Sequence, residues 1–232
     1  MMIWFIILLF VLFIAAAVIG YFRIVQLAHL NGRRVFISLL ILLILLTVMT
    51  AASWLGIFSP SFAIKVTMAF YLLAAGFFLG YGVQLIRLRS KAGDIEYMYR
   101  SPWIDLAPNL IAAALFVFGV YRTGILTGGL FTGIGITSGI SLIAFAFLGW
   151  TLHIVPEFRF KGILLLDQYI EWKRFITFEW AAENTLCVEY FTEDKQITEF
   201  KTYIPEDDQK MIERILRNKM DEYEENRKKM MP

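Results

Sequence analysis

The sequence predicts a membrane protein in which a five-helix transmembrane α-bundle is followed by a small cytoplasmic α+β domain. Three observations lead to this fold class: the composition, the distribution of charge, and a change in the hydrophobic period near residue 155. The 232 residues are 58% hydrophobic, 16% aromatic and 18% charged. Soluble domains are about 45–50% apolar and about 25% charged. The excess of apolar residues therefore indicates segments that cross a bilayer.

Charge is divided unevenly along the chain. Residues 1–154 contain nine Lys or Arg and three Asp or Glu, whereas residues 155–232 contain thirteen and seventeen. The first part is therefore basic and the second part acidic, although the whole chain has a net charge of only +2. A change of sign between two parts of a chain marks a domain boundary. Neither part has the basic stripe that is typical of nucleic-acid binding.

Five stretches are long and apolar enough for a helix that crosses the hydrocarbon core, which takes about 20 residues. They are residues 2–22, 35–57, 62–86, 104–121 and 126–152, within a transmembrane domain over 1–154. Basic residues concentrate in the alternate loops 23–34 and 87–103, and such loops are usually cytoplasmic. We therefore expect a multi-pass protein of the cell membrane, with its N-terminus outside and its C-terminus in the cytoplasm.

Ionisable side chains are scarce inside the predicted spans. Such groups are costly in a bilayer and usually serve transport or proton transfer. Asp105, at the start of the fourth span, is the one acidic residue within them. A carboxylate near a helix N-terminus is also favoured for structural reasons. An ion-driven transporter is therefore disfavoured.

The segment 123–141, TGILTGGLFTGIGITSGIS, carries glycines in pairs four residues apart. This spacing lets two helices approach closely, and hydroxyl groups can hydrogen-bond across such a contact. Three interpretations stay open: packing within the bundle, an oligomer face, or a discontinuous helix that lines a substrate cavity. The candidate packing or oligomer residues are Gly124, Gly128, Gly129, Gly133, Gly135 and Gly139, and the hydroxyls are those of Thr127, Thr132, Thr137 and Ser138.

After residue 155 apolar and polar residues alternate, as they do in half-buried strands. The alternation predicts strands at 163–172, 175–180, 185–192 and 196–204. An amphipathic helix is predicted after Pro205, where acidic residues suit the first turn. We expect this helix to close a small curved antiparallel sheet in a domain over 155–223, with a frayed charged tail at 224–232.

Four short motifs in this region carry a resemblance to a known family: GILLL at 162–166, IEW at 170–172, FEW at 178–180 and YIP at 203–205. They resemble an uncharacterised family of C-terminal domains on bacterial multi-pass membrane proteins. The core pattern is also similar to that of bacterial pleckstrin-homology-like (PH-like) domains. The resemblance covers about residues 157–218. It implies a PH-like fold, a bacterial source and a role in recognition, and it carries no assigned activity.

The sequence contains no motif of a catalytic, metal or cofactor site. Metalloprotease, hydrolase and phosphate-loop patterns are missing, and a single cysteine, Cys187, excludes an internal disulfide or a cysteine-rich zinc site. We therefore expect no enzyme activity, no metal and no cofactor. A candidate surface for a partner or for lipid is the basic group Lys161, Lys173 and Arg174, although solvated turn charges would give the same pattern.

Two functions fit these features. The first is a membrane-anchored interaction or regulatory protein, in which the cytoplasmic domain binds a protein partner or the membrane surface and the bundle sits in the lipid bilayer, with homo-oligomerisation as an option. The alternative is a transport-related protein whose pathway is lined by the Gly/Thr-rich segment before and within the fifth span.

Overall fold

The computed structural model describes residues 2–24, 51–126, 131–192 and 194–225, together with residue 128 and isolated positions between 37 and 48. The chain divides into two compact units. Unit 1 comprises residues 1–86 and 105–152, and unit 2 comprises residues 87–104 and 153–232. Each unit is described by itself below.

Unit 1 consists of long apolar helices. They are α1 (Met2–Tyr21), α2 (Pro60–Ala92), α3 (Pro102–Arg122) and α4 (Gly133–Thr151), and the ends of α2 and α3 belong to unit 2. Within the described part of the chain these four helices are long and apolar enough to cross a membrane. Large apolar side chains such as Phe10 and Leu110 are exposed on them, as in helices whose outer surface faces lipid.

Four of the predicted spans correspond to these helices. The other, 35–57, lies largely outside the described residues, so the count of five spans stays a prediction. The last span begins at Gly133 and not at residue 126. The reason is local: Gly124 and Gly128 adopt positive φ values of +83° and +60°, and the hydroxyl of Thr132 caps α4 by accepting a hydrogen bond from the Gly135 amide at 3.0 Å.

Unit 2 is built from short antiparallel strands and one long helix. The strands are β1 (Ile95–Met98), β2 (Glu157–Arg159), β3 (Gly162–Leu165), β4 (Gln168–Glu171), β5 (Phe175–Ala182), β6 (Thr185–Phe191) and β7 (Ile197–Tyr203). One sheet has the order β1-β2-β3-β4 and the other the order β5-β6-β7. A 3₁₀ turn (Trp172–Arg174) joins them, and α5 (Glu206–Glu222) follows β7.

The sequence predicted one curved sheet closed by the C-terminal helix. The structure instead has two sheets, and neither of them is closed. The predicted strand 163–172 is in fact β3 and β4. Leu166 has a left-handed φ of +54°, so the chain reverses there and does not continue the alternation. The prediction also missed β1, which lies in the segment 87–103, because a strand of four residues is too short to show a periodic pattern.

Both sheets and α5 contribute to one apolar core in unit 2. Its largest side chains include Trp172, Phe175 and Phe158, each 1% exposed or less. Ile212 and Leu216 of α5 are fully buried in it, as the amphipathic pattern predicts. Burial of each such side chain stabilises a fold by about 1.5–3 kcal/mol. The core therefore fixes α5 and the turns that carry the polar groups described next.

Candidate functional site

The glycine-rich segment contains two different structures. Gly124 and Gly128 belong to the turn before α4, where their positive φ values suit glycine. Nothing lies within 4 Å of the position that a Cβ atom of Gly128 would occupy. Gly129 and Thr127 lie outside the described residues. This part of the segment is therefore a turn, and its glycines serve the backbone conformation.

Within α4, glycines allow close contact with other parts of unit 1. A Cβ atom on Gly139 would lie 2.6 Å from the carbonyl oxygen of Gly119 in α3, and one on Gly133 would lie 2.6 Å from the Cε atom of Met68 in α2. Gly135 is constrained by the capping hydroxyl of Thr132 and by the Arg122 carbonyl oxygen, 2.8 and 3.0 Å from such an atom. These positions have the small-residue packing geometry of helix pairs in membranes.

The hydroxyl groups of this segment bond to their own helix. Thr137 Oγ1 donates to the Gly133 carbonyl at 2.9 Å, and Ser138 Oγ donates to the Gly135 carbonyl at 3.1 Å. A hydroxyl in an apolar helix satisfies its donor in this way without a partner on another helix. The sequence allowed these hydroxyls to hydrogen-bond across a helix contact, but Thr137 and Ser138 bond within their own helix.

A second group of glycines, which sequence reasoning missed, brings α1 and α2 together. Cβ atoms on Gly76 and Gly80 would collide with the backbone carbonyl oxygens of Phe13 and Ala17, and one on Gly20 with that of Phe77. The four-residue spacing of Gly76 and Gly80 was the available signal. It was overlooked because this single pair is not followed by a second one, unlike the repeated pairs of the segment 123–141.

The three predicted basic residues of unit 2 lie around one tyrosine of β4, Tyr169. Its hydroxyl donates to the Lys161 carbonyl at 2.9 Å, and its own carbonyl accepts from Arg174 Nη2 at 3.1 Å. Lys173 lies in the 3₁₀ turn that follows β4. The fold therefore collects residues from the β2–β3 turn and from the β4–β5 connection into one region.

Lys91, from the last turn of α2, joins the same group. Its ammonium nitrogen is 5.1 Å from the centroid of the Tyr169 ring and 3.5 Å from Glu171 Oε1. Glu171 also forms an ion pair with Lys173. The hydrogen bond from Lys173 lowers the pKa of Glu171, and the charges of Lys91 and Arg174 act in the same direction. We call Lys91, Lys161, Lys173 and Arg174 the basic surface, with Glu171 as its internal counter-ion.

Apolar side chains border the basic surface. Phe160, at the tip of the β2–β3 turn, is 56% exposed, and Ile95 at the start of β1 is 41% exposed. The two are neighbours because Ile95 pairs with Arg159 and the Phe160 amide donates to the Asp94 carbonyl at 2.9 Å. Trp172 holds the turn from beneath, since its indole nitrogen donates to the carbonyls of Arg159 and Phe160 at 2.9 and 3.1 Å.

A buried ion network lies at the foot of the same turn. Glu157, whose side chain is 1% exposed, accepts from Arg159 Nε at 2.6 Å and contacts His153. Arg89 Nε lies 3.3 Å from Glu157 Oε1, as an ion pair without good hydrogen-bond alignment. Burial raises the pKa of Glu157, but the bond from His153 and the charges of Arg89 and Arg159 outweigh it, so the pKa is lowered overall. Glu157 is therefore a structural anion that holds the end of α2 to β2.

Polar contacts also fasten β1 to the C-terminal helix. The Tyr97 hydroxyl donates to Asp208 Oδ2 at 2.9 Å. Lys219, only 8% exposed as a side chain, lies 3.7 Å from Glu96 Oε1 and 4.5 Å from the centroid of the Phe160 ring. Burial and the hydrogen bond to Asp208 raise the pKa of Tyr97. A strand from the segment between α2 and α3 is thus an integral part of unit 2.

Cys187 has no reactive setting. It is buried in β6, and its thiol donates to Glu199 Oε2 at 3.2 Å. Burial and this carboxylate raise the pKa of the thiol to about 11, so it stays protonated at neutral pH. Across the part of the chain that the structure describes, no three His, Cys, Asp or Glu side chains are grouped as metal ligands would be.

Residues 155–221 match a protein family described as a domain of unknown function (DUF5673). The match covers the continuous part of unit 2 and leaves out β1. No curated protein and no solved structure matches the chain. The family match confirms the prediction that the chain ends in a domain without an assigned activity, at nearly the boundaries expected from the motifs.

Proposed function

We propose that this chain is a membrane-anchored interaction or regulatory protein. Unit 1 anchors it in the plasma membrane of a bacterium. Unit 2, in the cytoplasm, recognises a protein partner or the membrane surface. The protein is not an enzyme in this proposal. Its long helices anchor it and offer a surface through which two copies can associate.

The pairing of β1 with β2 is the observation that carries the proposal. Tyr97 lies opposite Phe158 and Met98 opposite Glu157, although α3 and α4 separate the two strands in the sequence. If α3 and α4 cross the bilayer, they cross it as a hairpin, because both ends of the hairpin enter the same sheet. Unit 2 then gathers the connecting segments on one face of the membrane. The basic residues of the segment 87–103 support the cytoplasmic side as that face.

The arrangement of unit 2 also supports a PH-like fold. Four strands in one antiparallel sheet, three in another and a C-terminal helix agree with the fold that the sequence motifs resemble. Domains of this class mostly serve recognition. Here the first strand precedes a helical hairpin and the other six follow it, so the recognition unit and the anchor are interleaved in the chain and not joined by a simple linker.

The transport alternative gains less from the structure. A pathway lined by the Gly/Thr-rich segment needs polar groups turned towards a cavity. The described glycines of α4 instead face atoms of other helices, and the hydroxyls of Thr137 and Ser138 bond to their own helix. These contacts favour tight packing over a pathway.

Topology is tested by cysteine labelling of intact cells. Cys187 is buried, so single exposed cysteines can be read against a low background. Ser61→Cys, in the exposed first turn of α2, should react with a membrane-impermeant maleimide in intact cells, whereas Asp194→Cys, in the β6–β7 turn, should react only after permeabilisation. Labelling of Asp194→Cys in intact cells would overturn the proposed orientation.

Recognition is tested by gentle purification of the full chain from native membranes. A truncation after residue 155 is a poor comparison because it would leave β1 without β2. The matched comparison is the wild type against Lys161→Glu/Lys173→Glu/Arg174→Glu, and the exposed Arg217→Glu serves as control. A partner or a lipid class that the triple variant loses and the control keeps supports the proposal. Purification that yields no partner, no self-association and no bound lipid contradicts it.

A further inference from the structure

We infer that the free edge of β7 pairs with the same strand of a second copy of this chain, so that two three-stranded sheets join into one. The two strands run antiparallel, and Phe200 lies opposite Phe200 of the second copy on a two-fold axis. This inference goes beyond the proposed function, because it concerns unit 2 alone and does not depend on where the chain is located.

Strand β7 has a long and regular outer edge. It runs beside β6 in one continuous register from Ile197 to Tyr203, and in the described part of the chain no strand lies on its other side. The opposite outer strand, β5, is interrupted by two register shifts, and such bulges are a usual protection of a sheet edge. β7 contains no bulge, proline or glycine. An edge of this kind is a template for another strand.

Two hydrogen bonds show which residues of β7 turn their backbone groups to the free edge. The Ile204 amide donates to the Asn184 carbonyl at 3.0 Å, and the Gln196 carbonyl accepts from the Thr192 amide at 2.8 Å. Both groups therefore face β6. Because the direction of the backbone groups alternates along an antiparallel strand, the even-numbered residues between these two also bond to β6. The residues that direct their amides and carbonyls to the free edge are Ile197, Glu199, Lys201 and Tyr203.

The sequence of β7, ITEFKTY, is complementary to itself when two copies run antiparallel. With Phe200 on the axis, Glu199 of each copy lies opposite Lys201 of the other. At the ends of the strands Ile197 lies opposite Tyr203, and each threonine lies opposite a threonine. Opposite charges, pairs of an aromatic with a β-branched residue, and threonine pairs are combinations that stabilise antiparallel strands.

The charges favour this register over its neighbours. Since only the odd-numbered residues carry outward backbone groups, the register can shift only in steps of two residues. One such shift places Glu199 opposite Glu199, and the shift in the other direction places Lys201 opposite Lys201. Like charges directly opposite each other destabilise a pair of strands. The register centred on Phe200 is therefore the one in which hydrogen bonding and charge agree.

The surroundings of Glu199 also favour a second cation. On the β6 side it lies opposite Glu189, which is a pair of like charges. Its own Lys201 is 3.3 Å from its Oε1 atom, and the two side chains are 53% and 55% exposed. Lys201 of the second copy would lie on the open side of Glu199. The result is a cluster of two carboxylates and two ammonium groups around the axis.

Apolar side chains at both ends of β7 gain cover in the same arrangement. Ile197 is 66% exposed and Tyr203 is 52% exposed. Each lies opposite the other in the antiparallel pair, and burial of their apolar area stabilises the contact. Tyr99 packs edge-to-face against Tyr203, with ring centroids 5.4 Å apart, and so supports that ring on the side of its own unit.

The test measures self-association of the full-length chain in detergent. Two copies with different tags are co-expressed, one tag is purified, and the recovery of the other is measured. Lys201→Glu and Glu199→Lys each place like charges opposite each other at two symmetric positions, so each should lower the recovery about tenfold. The two substitutions change the net charge in opposite directions, so a general charge effect would not weaken association in both.

A mixed pair tests the register. When one tagged copy carries Lys201→Glu and the other carries Glu199→Lys, a glutamate again lies opposite a lysine at both positions, and recovery should return at least to the wild-type value. The double variant Glu199→Lys/Lys201→Glu should associate with itself for the same reason. Arg217→Glu is the matched control, because Arg217 is also an exposed cation paired with a glutamate of its own chain, and it should leave recovery unchanged.

Hydrogen exchange gives a second measurement, which needs no substitution. A peptide that covers 197–203 should exchange more slowly as the concentration of the wild-type chain rises, because the outward amides become bonded to the second copy. Exchange in β6 should not depend on concentration. The exchange of β6 also shows that each charge variant is folded.

A monomeric wild-type chain would overturn the inference, whichever other strand then covers the edge. So would association that both single variants keep, since the two copies would then meet through another surface, such as the helices of unit 1. Failure of the mixed pair to restore recovery would refute the register centred on Phe200. The proposed function is tested separately by the cysteine labelling, whose outcome does not depend on this pairing.

Discussion

Unit 1 and unit 2 hold their elements together by different means. In unit 1 glycines bring helix backbones into contact, as at Gly80 with Ala17, and hydroxyls bond within their own helix. In unit 2 aromatic and aliphatic side chains fill a core, and the buried Glu157 forms ion pairs with the buried Arg159 and the half-buried Arg89. The proposed locations account for this difference: helices in lipid gain little from hydrophobic burial and depend on close packing, whereas a domain in water depends on burial and must pair each buried charge. The sensitive positions should therefore differ in kind.

The largest effect is expected for Glu157→Gln. The substitution removes the carboxylate that pairs with the buried Arg159 and the half-buried Arg89, and breaking a buried ion pair in this way costs about 3–5 kcal/mol. Hydrogen-exchange mass spectrometry of the full chain should show faster exchange in β2 and β3. The control is Glu213→Gln, which removes an exposed pair with Arg217 and should change the opening free energy by about 0.5 kcal/mol or less. Equal effects of the two substitutions would refute the role assigned to Glu157.

The same network predicts a pH dependence. Because the pKa of Glu157 is lowered in the folded chain, its contribution to stability is complete above the pKa of the unfolded state, about 4.3. The contribution is lost as the pH falls through the lower folded-state pKa. The difference in stability between the wild type and Glu157→Gln should therefore be constant at neutral pH and shrink in acid. A difference that stays constant down to pH 3 would contradict this account.

The next effect concerns unit 1. Gly80→Ala would force a Cβ atom against the backbone of Ala17, and overpacking of this kind costs about 1–3 kcal/mol. Gly149→Ala is the matched control, because its Cβ atom would make an ordinary 3.5 Å contact with Ala112. Thermal denaturation in detergent should show a clear loss of stability for the first substitution. The second should be neutral or slightly stabilising, since alanine is the better helix former.

A smaller effect is expected where β1 meets α5. Tyr97→Phe removes the hydrogen bond to Asp208 and should destabilise unit 2 by about 1 kcal/mol, measured as faster hydrogen exchange in β1. Tyr203→Phe is the control, because the side chain of Tyr203 is 52% exposed. If exchange in β1 were the same in both variants, the Tyr97–Asp208 bond would have no part in holding the strand.

The last prediction concerns the reactivity of the Cys187 thiol in the unchanged chain and involves no change in stability. Since its pKa is raised to about 11, alkylation by iodoacetamide at pH 8 should be slow in the folded chain and fast after unfolding in guanidinium. The expected ratio of the two rates is about a hundred or more, because thiolate is the reactive form and burial blocks access. Rapid labelling of the folded chain would show that β6 opens readily.

Several features of unit 2 could be predicted from the sequence. Strands β5, β6 and β7 lie within two residues of their predicted limits, because their alternation of apolar and polar residues continues for at least six positions. The helix after Pro205 was equally predictable, because its apolar residues recur at helical spacing. The break at Leu166 was not, since only its backbone conformation distinguishes one strand from two, and leucine rarely adopts that conformation.

The candidate site likewise has a part that the sequence predicted and a part that only the structure shows. Lys161, Lys173 and Arg174 could be grouped from their nearness in sequence, but Lys91 lies some seventy residues earlier and joins them only through Tyr169 and Glu171. The Glu157 network was missed entirely. Its residues are ordinary charged residues in the sequence, and only the fold buries them together.

By itself the sequence determined the long apolar segments, the acidic C-terminal unit and the periods of its later strands and helix, because hydrophobic patterning is a local property that neighbouring residues express. Only the tertiary structure decided that β1 joins a sheet across an intervening helical hairpin, that glycines of α1 and α2 meet, and that Lys91 reaches Tyr169. Those contacts link residues far apart in the chain, and which distant residues meet depends on packing that no local period records.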